Sequence, residues 1–230
     1  MLFLAAFQIT IPFGLQFWGQ QYITSGLTAV MFSTTSVFVV ILAHLLINGE
    51  RITGLKAVGE VASFAGIVTI FWRDIASLQT VQLSLYGELA IIAAAASTAF
   101  AIVIGKLYAN DIDPSANTFV QLLIGASILS AIGLMKESSS VLNLTATAIA
   151  TILYLATFGT AFVFVALYWL LMKMSATSIS LFAFISPIIA LLLGWILLGE
   201  TLSVNTAMGT ILILVGVYLV SRPARRTTLQ

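Results

Sequence analysis

Eight apolar runs of roughly 20 residues follow one another along the chain, and a helix needs about that length to cross the hydrocarbon core of a bilayer. They lie at approximately 2–23, 26–47, 54–72, 84–107, 116–135, 146–171, 177–198 and 204–221. The breaks between them are short: Gln20-Gln21-Tyr22, Asn48-Gly49-Glu50-Arg51, Arg73-Asp74, Asn110 to Pro114, Lys136-Glu137, Lys173, and Gly199-Glu200. Breaks this short hold no inserted soluble domain and make neighbouring helices run antiparallel. Composition agrees, since 7% of the residues are charged, where a soluble domain carries about 25%. Such a chain could not cover its own surface in water, whereas an outward Leu or Phe carries no penalty in lipid. The expected fold is an all-α polytopic membrane protein of about eight transmembrane helices. The first run is the least apolar, diluted by Gln8, Pro12, Gln16, Gln20 and Gln21. Met1-Leu2-Phe3-Leu4 carries no positive n-region, and no small-residue cleavage site comes before more apolar sequence, so this stretch does not read as a removable signal peptide.

Orientation follows from the short loops, because Lys and Arg accumulate on the cytoplasmic side. Placing the tail, with Arg222, Arg225 and Arg226, in the cytoplasm puts Arg51, Lys56, Lys106 and Lys173 on the same side. Only Arg73 and Lys136 then lie outside, so one choice sorts seven of the nine basic residues to one face. Both termini are expected in the cytoplasm and the protein in the cell (inner) membrane.

The chain also matches itself when shifted by 150 residues. Residues 25–70 lie over 175–220 without a gap, with Ser25/Ser175, Phe32/Phe182, Ser36/Ser186, Leu42/Leu192, Gly49/Gly199, Glu50/Glu200, Gly59/Gly209 and Gly66/Gly216 identical. Apolar helices with glycines align by chance to a degree, but two Gly-Glu breaks with the following glycines in register exceed that. An odd number of spans separates the two copies, so Glu50 is expected in the cytoplasm and Glu200 outside. Repeats of opposite orientation mark alternating-access transporters, with the substrate site near the midplane between them.

The segment Ser186-Pro187-Ile188-Ile189-Ala190-Leu191-Leu192-Leu193-Gly194-Trp195, running on to Leu198-Gly199-Glu200, resembles the signature before the last helix of the EamA-type family of the drug/metabolite transporter superfamily. Gly209 and Gly216 follow in the closing helix. The first half holds a weaker counterpart from Thr35-Ser36-Val37 to Gly49-Glu50, with Val37 where the family usually has Pro. The resemblance implies two inverted repeats: residues 1–72 as the first, 83–222 as the second, and 223–230 as a cytoplasmic tail. Family members typically have ten helices, five to a repeat. The first repeat here shows three, so the chain is expected to lack two helices or to begin inside a longer protein.

Enzymatic chemistry finds little support. Cysteine is absent, so no thiol nucleophile can form, and the single histidine that a Ser/His/Asp arrangement would need as its base is His44. His44 is expected to pack at the end of its span. No Gly-rich phosphate loop, clustered metal ligands or basic nucleic-acid patch occurs, so no cofactor, metal or nucleic-acid partner is expected.

Polar residues inside a membrane are costly and carry functional hypotheses by default. Glu60 and Glu88 are candidates for proton coupling, although Glu60 could simply pair with Lys56 one turn away and Glu88 has only Arg73 near it on its side. For substrate contact the candidates are Trp18, Thr35, Ser36, Tyr154, Thr157, Ser178, Phe182 and Ser186, since aromatic rings with a few hydroxyls suit amphipathic solutes. Trp and Tyr near helix ends also form interfacial belts, the expected place of Tyr168 and Trp169. Serines and threonines also bond to their own helix carbonyls. Ala93 to Ser97 are expected to let helices approach closely. Pro187 should loosen its helix and act in gating, with Glu50 and Glu200 structural in both halves.

The expected function is a permease or exporter of small metabolites, amino acids or drug-like compounds by alternating access, with the bilayer and a small solute as its partners. The alternative is a truncated, non-transporting membrane protein or an interaction subunit. The sequence permits a homodimer and does not specify one.

Overall fold

The computed structural model describes residues 2–23, 28, 31–50, 52–70, 85–108, 111, 113–136, 145–182, 184, 185, 189 and 204–221, without the side chains of Ile70, Lys136, Thr206 and Ser221. The candidates Ser186, Pro187 and Glu200 lie outside the described residues. All regular elements among the described residues are helical. In chain order they are α1 (Leu2–Gly19), α2 (Thr34–Leu46), α3 (Gly54–Ile70), α4 (Leu85–Leu107), α5 (Pro114–Lys136), α6 (Ala146–Lys173), α7 (Ala176–Ser180) and α8 (Val204–Ser221). Four of them, α1, α4, α5 and α6, are long and apolar enough to cross a membrane.

Two helices contain a stretch of π-helix, α1 at Ala6–Thr10 and α6 at Leu155–Phe162. In α1 the cause is Pro12, whose ring crowds the carbonyl four residues before it and which offers no N–H. A widened turn ahead of it relieves both problems. In each stretch a threonine answers a carbonyl five residues back: Thr10 Oγ1 donates to Ala5 O at 3.4 Å and Thr160 Oγ1 to Leu155 O at 2.9 Å.

Small residues set the helix spacing, as expected where lipid supplies no hydrophobic drive between helices. The pair α3 and α8 is the most extensive among the described residues. The two cross antiparallel, Gly59 against Gly216 and Gly66 against Gly209. A Cβ on Gly59 would stand 2.7 Å from Gly216 O, and one on Gly66 2.6 Å from Gly209 O, distances that real Cβ atoms do not reach. At the centre of this crossing Ser63 Oγ donates to Ile213 O at 3.5 Å. Helices α1 and α4 approach in the same way where Gly19 meets Gly87. Farther along that contact Ala94 and Ala95 are buried and Ser97 Oγ donates to Phe7 O at 2.8 Å. Of the expected small-residue stripe Ala93 alone is exposed.

A buried cluster joins α2, α4, α6 and α7 through Val39, Ala43, Ala99, Val103, Tyr168, Leu171, Ala176 and Ile179. Here Tyr168 departs from its expected place in the interfacial belt. It is 4% exposed, lies over the bare backbone of Gly105, and donates from its hydroxyl to Gln121 Oε1 at 2.9 Å. Absence of a side chain at Gly105 makes room for the ring, and the glutamine of α5 satisfies its hydroxyl. Trp169, next in the chain, is 54% exposed on the outer face, as a belt residue would be.

Candidate functional site

A cavity of about 470 Å³ opens among α1, α2, α4, α6 and α7. Its wall is aromatic, with Phe13 from α1, Phe32 just before α2, Phe162 and Phe164 from α6, and Phe182 just after α7. The polar atoms come from Gln8, Gln16, Thr35, Thr98 and Ser180. No lining residue carries a charge. Both π-helical stretches reach this wall, the first through Gln8 and the second through Gly159 and Phe162. Gln8 is 4% exposed and its Oε1 has no hydrogen-bond partner, which leaves a free acceptor in apolar surroundings. A cavity of this size with few polar groups has the character of a small-molecule site.

Behind the wall runs a row of oxygens. Ser180 faces Ser36 at 3.0 Å, and Ser36 Oγ donates to Glu60 Oε1 at 3.0 Å. Ser180 Oγ also donates to Thr177 O at 2.8 Å. All three side chains are buried, and Glu60 Oε2 has no hydrogen-bond partner. Glu60 therefore turns inward to a serine of α2, and the expected pairing with Lys56 gives way to this contact. The row ties α3 and α2 to α7.

Glu50 makes a second tie between the same parts of the chain. Gly49 holds φ +98°, a left-handed conformation that glycine adopts without steric cost, and this turns the chain out of α2. The Glu50 carboxylate then accepts from Ala176 N at 2.8 Å, Thr177 N at 3.2 Å and Thr177 Oγ1 at 2.8 Å. It thus supplies acceptors to the free amides and positive dipole end at the start of α7. Ser175 completes this cap, accepting from Ser178 N at 3.1 Å.

Of the residues singled out from sequence, Thr35 and Phe182 line the cavity and Ser36 stands directly behind it. Ser178 belongs to the cap of α7. Thr157 is exposed and donates to Leu153 O in its own helix. Trp18 and Tyr154 lie outside the wall, 42% and 62% exposed, the one edge-to-face with Tyr22 and the other tilted against Phe158. Glu88 sits in the first turn of α4, where the helix dipole favours an acid, away from both the cavity and Glu60. The reading from sequence did not select Gln8, Phe13, Phe162 or Phe164. Gln8 carried a signal, a polar residue within an apolar run, while the phenylalanines were hidden among 15.

Known proteins share this architecture. A crystal structure with 16% sequence identity superposes with a TM-score of 0.83, covering 96% of this chain and 76% of its own, a likeness of fold. The uncharacterized transporter YoaV of Bacillus subtilis (strain 168) is 30% identical over 206 residues, 90% of this chain and 70% of that protein. An uncharacterized transporter of Archaeoglobus fulgidus is 33% identical over 204 residues, 89% of this chain and 70% of that protein. The EamA-like transporter family matches residues 1–72 and 85–222, and this chain, a multi-pass membrane protein, belongs to that family of transporters.

Proposed function

We infer that the chain carries a small amphipathic solute through the cavity by alternating access between two inverted repeats, in the inner membrane with both termini cytoplasmic. The observation that carries this reading is the cavity itself, uncharged, rich in phenylalanine, and built from helices of both halves. The inverted repeat draws support from the α3–α8 crossing. Shifting by 150 residues turns the contact Gly59–Gly216 into Gly209–Gly66, the other contact of the same pair. The same shift carries the π-helical stretch at Ala6–Thr10 onto residues 156–160, inside the stretch Leu155–Phe162. It also carries Thr10 onto Thr160, which makes the same bond five residues back. Equivalent helices that pack antiparallel are what two repeats of opposite orientation require.

Uptake into proteoliposomes tests the reading, with the purified chain offered a panel of amino acids and amphipathic cations with and without a proton gradient. Saturable flux is the expected result. Thr35→Trp, which places a large ring in the cavity, is expected to lower it at least about tenfold, with the fold checked by circular dichroism. Flux unchanged in a folded Thr35→Trp protein would move the pathway elsewhere, and no flux of any solute would remove the carrier reading.

A further inference from the structure

Where α2, α3 and α7 meet, two serine hydroxyls stand among more acceptors than they can serve. Ser36 Oγ donates to Glu60 Oε1 at 3.0 Å, and Ser180 Oγ donates to Thr177 O at 2.8 Å. Each serine has one O–H, so with the carboxylate ionised both protons are spent on these two acceptors. The serine oxygens nevertheless face each other at 3.0 Å, lone pairs toward lone pairs. Beside them Glu60 Oε2 is buried and has no hydrogen-bond partner. A proton on Glu60 Oε1 would supply the missing donor, yet it leaves Oε2 without a partner. A cation shared by the two serine oxygens and Oε2 accounts for all three at once, and Thr177 O keeps its donor.

We propose that Ser36 Oγ, Ser180 Oγ and the Glu60 carboxylate form a binding site for a Na⁺ ion beside the cavity. This goes beyond the carrier reading and does not depend on it. Hydroxyl and carboxylate oxygens are ligands for hard cations. At the distance of about 2.3 to 2.6 Å that oxygens keep from Ca²⁺, an ion of nearly the radius of Na⁺, two ligands 3.0 Å apart subtend roughly 70 to 80° at the cation. That is an ordinary angle between neighbours in such a shell. One carboxylate cancels one positive charge, so a monovalent ion suits the site, whereas a divalent ion would bury an excess charge. Ser180 also lines the cavity, which gives the ion a way in and room for water to complete its shell. The ligands come from three helices, so a bound ion ties α2 and α3 to α7 at the edge of the cavity.

An ionisable side chain buried within a membrane is costly and marks an ion or solute path by default. Lys56 is the one basic side chain of α3, a single turn from Glu60, and the carboxylate turns from it to Ser36. Helix α8 meets α3 through Gly209, Ile213 and Gly216, none of them charged. Glu50, the carboxylate that precedes α3, is engaged at the start of α7 and leaves this ion to Glu60.

The test uses the purified chain in detergent with no solute present, NaCl as the probe and choline chloride holding the ionic strength constant. The melting temperature of wild type is expected to rise saturably with Na⁺. Glu60→Gln should show no Na⁺-dependent rise, and Ser36→Ala should need about tenfold more Na⁺ to reach half of its rise. Infrared spectra supply an independent readout. At saturating Na⁺ the difference between wild type and Glu60→Gln should contain an ionised-carboxylate stretch and no protonated-carboxyl stretch. No Na⁺-specific rise in wild type, an equal rise in folded Glu60→Gln, or a protonated Glu60 at saturating Na⁺ would each overturn the proposal. If Glu60→Gln does not fold, Ser36→Ala decides, and an unchanged half-saturating concentration there overturns the site. Because no solute is present, each of these results leaves the carrier reading standing.

Discussion

At the residue scale, Glu50 gives α7 what a helix start lacks. Three donors converge on its carboxylate, and hydrogen bonds to a charged group are the stronger kind, each worth about 1.5 to 3 kcal/mol. Glu50→Ala leaves two amides at a partly buried helix start without that acceptor, so a loss of about 2 to 4 kcal/mol is expected. Glu50→Gln keeps one oxygen acceptor and should lose less. Thermal unfolding of the two variants, read as light scattering or tryptophan fluorescence in detergent, orders them. Equal melting temperatures in Glu50→Ala and wild type would mean that water serves the amides as well. The repeated Gly-Glu pair marked this residue as structural from the chain alone. Its partner could not be read there, because Ala176 and Thr177 lie 126 and 127 residues away and nothing local in either segment points to the other.

At the element scale, the glycines of α3 and α8 are positions where packing outweighs helix propensity. Alanine in place of glycine within a helix normally stabilises by about 1 kcal/mol. At Gly216 the added methyl would meet the Gly59 carbonyl oxygen, the Ser63 hydroxyl and the Ser63 amide, so backbone must move, which costs about 1 to 3 kcal/mol or more. Gly216→Ala should therefore melt lower than wild type. Gly133→Ala in α5 is the control, since nothing lies within 4 Å of a Cβ there, and it should melt at or above wild type. If both variants shift alike, close approach is not what selects glycine at 216. The spacing of these glycines was visible in the sequence as a match between the halves. That Gly59 meets Gly216 and not Gly209 was not visible, because alignment pairs equivalent residues while an antiparallel crossing pairs each with the equivalent of the other.

At the scale of the whole molecule, element positions were easier to read than faces. Spans follow from length and apolarity, which each run displays by itself. Which side of a helix faces the cavity depends on contrast around its circumference, and in a chain that is 60% hydrophobic both the lipid side and the packed side are apolar. Trp18 and Tyr154 were singled out for their chemistry, yet chemistry does not tell a cavity from a lipid interface. Phe162 and Phe164 reach the wall and look no different in sequence from phenylalanines that do not. Gln8 is the exception, because an amide in hydrocarbon is costly unless its polar atoms find partners, as Gln121 does in Tyr168 and Gln8 Oε1 does not. Its unpartnered oxygen forfeits a hydrogen bond, a penalty of about 1 to 3 kcal/mol for a buried polar group. Gln8→Leu replaces it with an apolar side chain of similar reach, so the melting temperature should rise. If the oxygen serves to accept from a solute in the cavity, the same change should lower flux several-fold, chiefly through a higher KM, because the lost contact is one of binding. Stability and transport moving in opposite directions is the signature of a residue kept for its ligand. A variant that melts higher and transports as well as wild type would show that the cavity does not use this oxygen, and one that melts lower would show that Gln8 is satisfied by water in the resting protein.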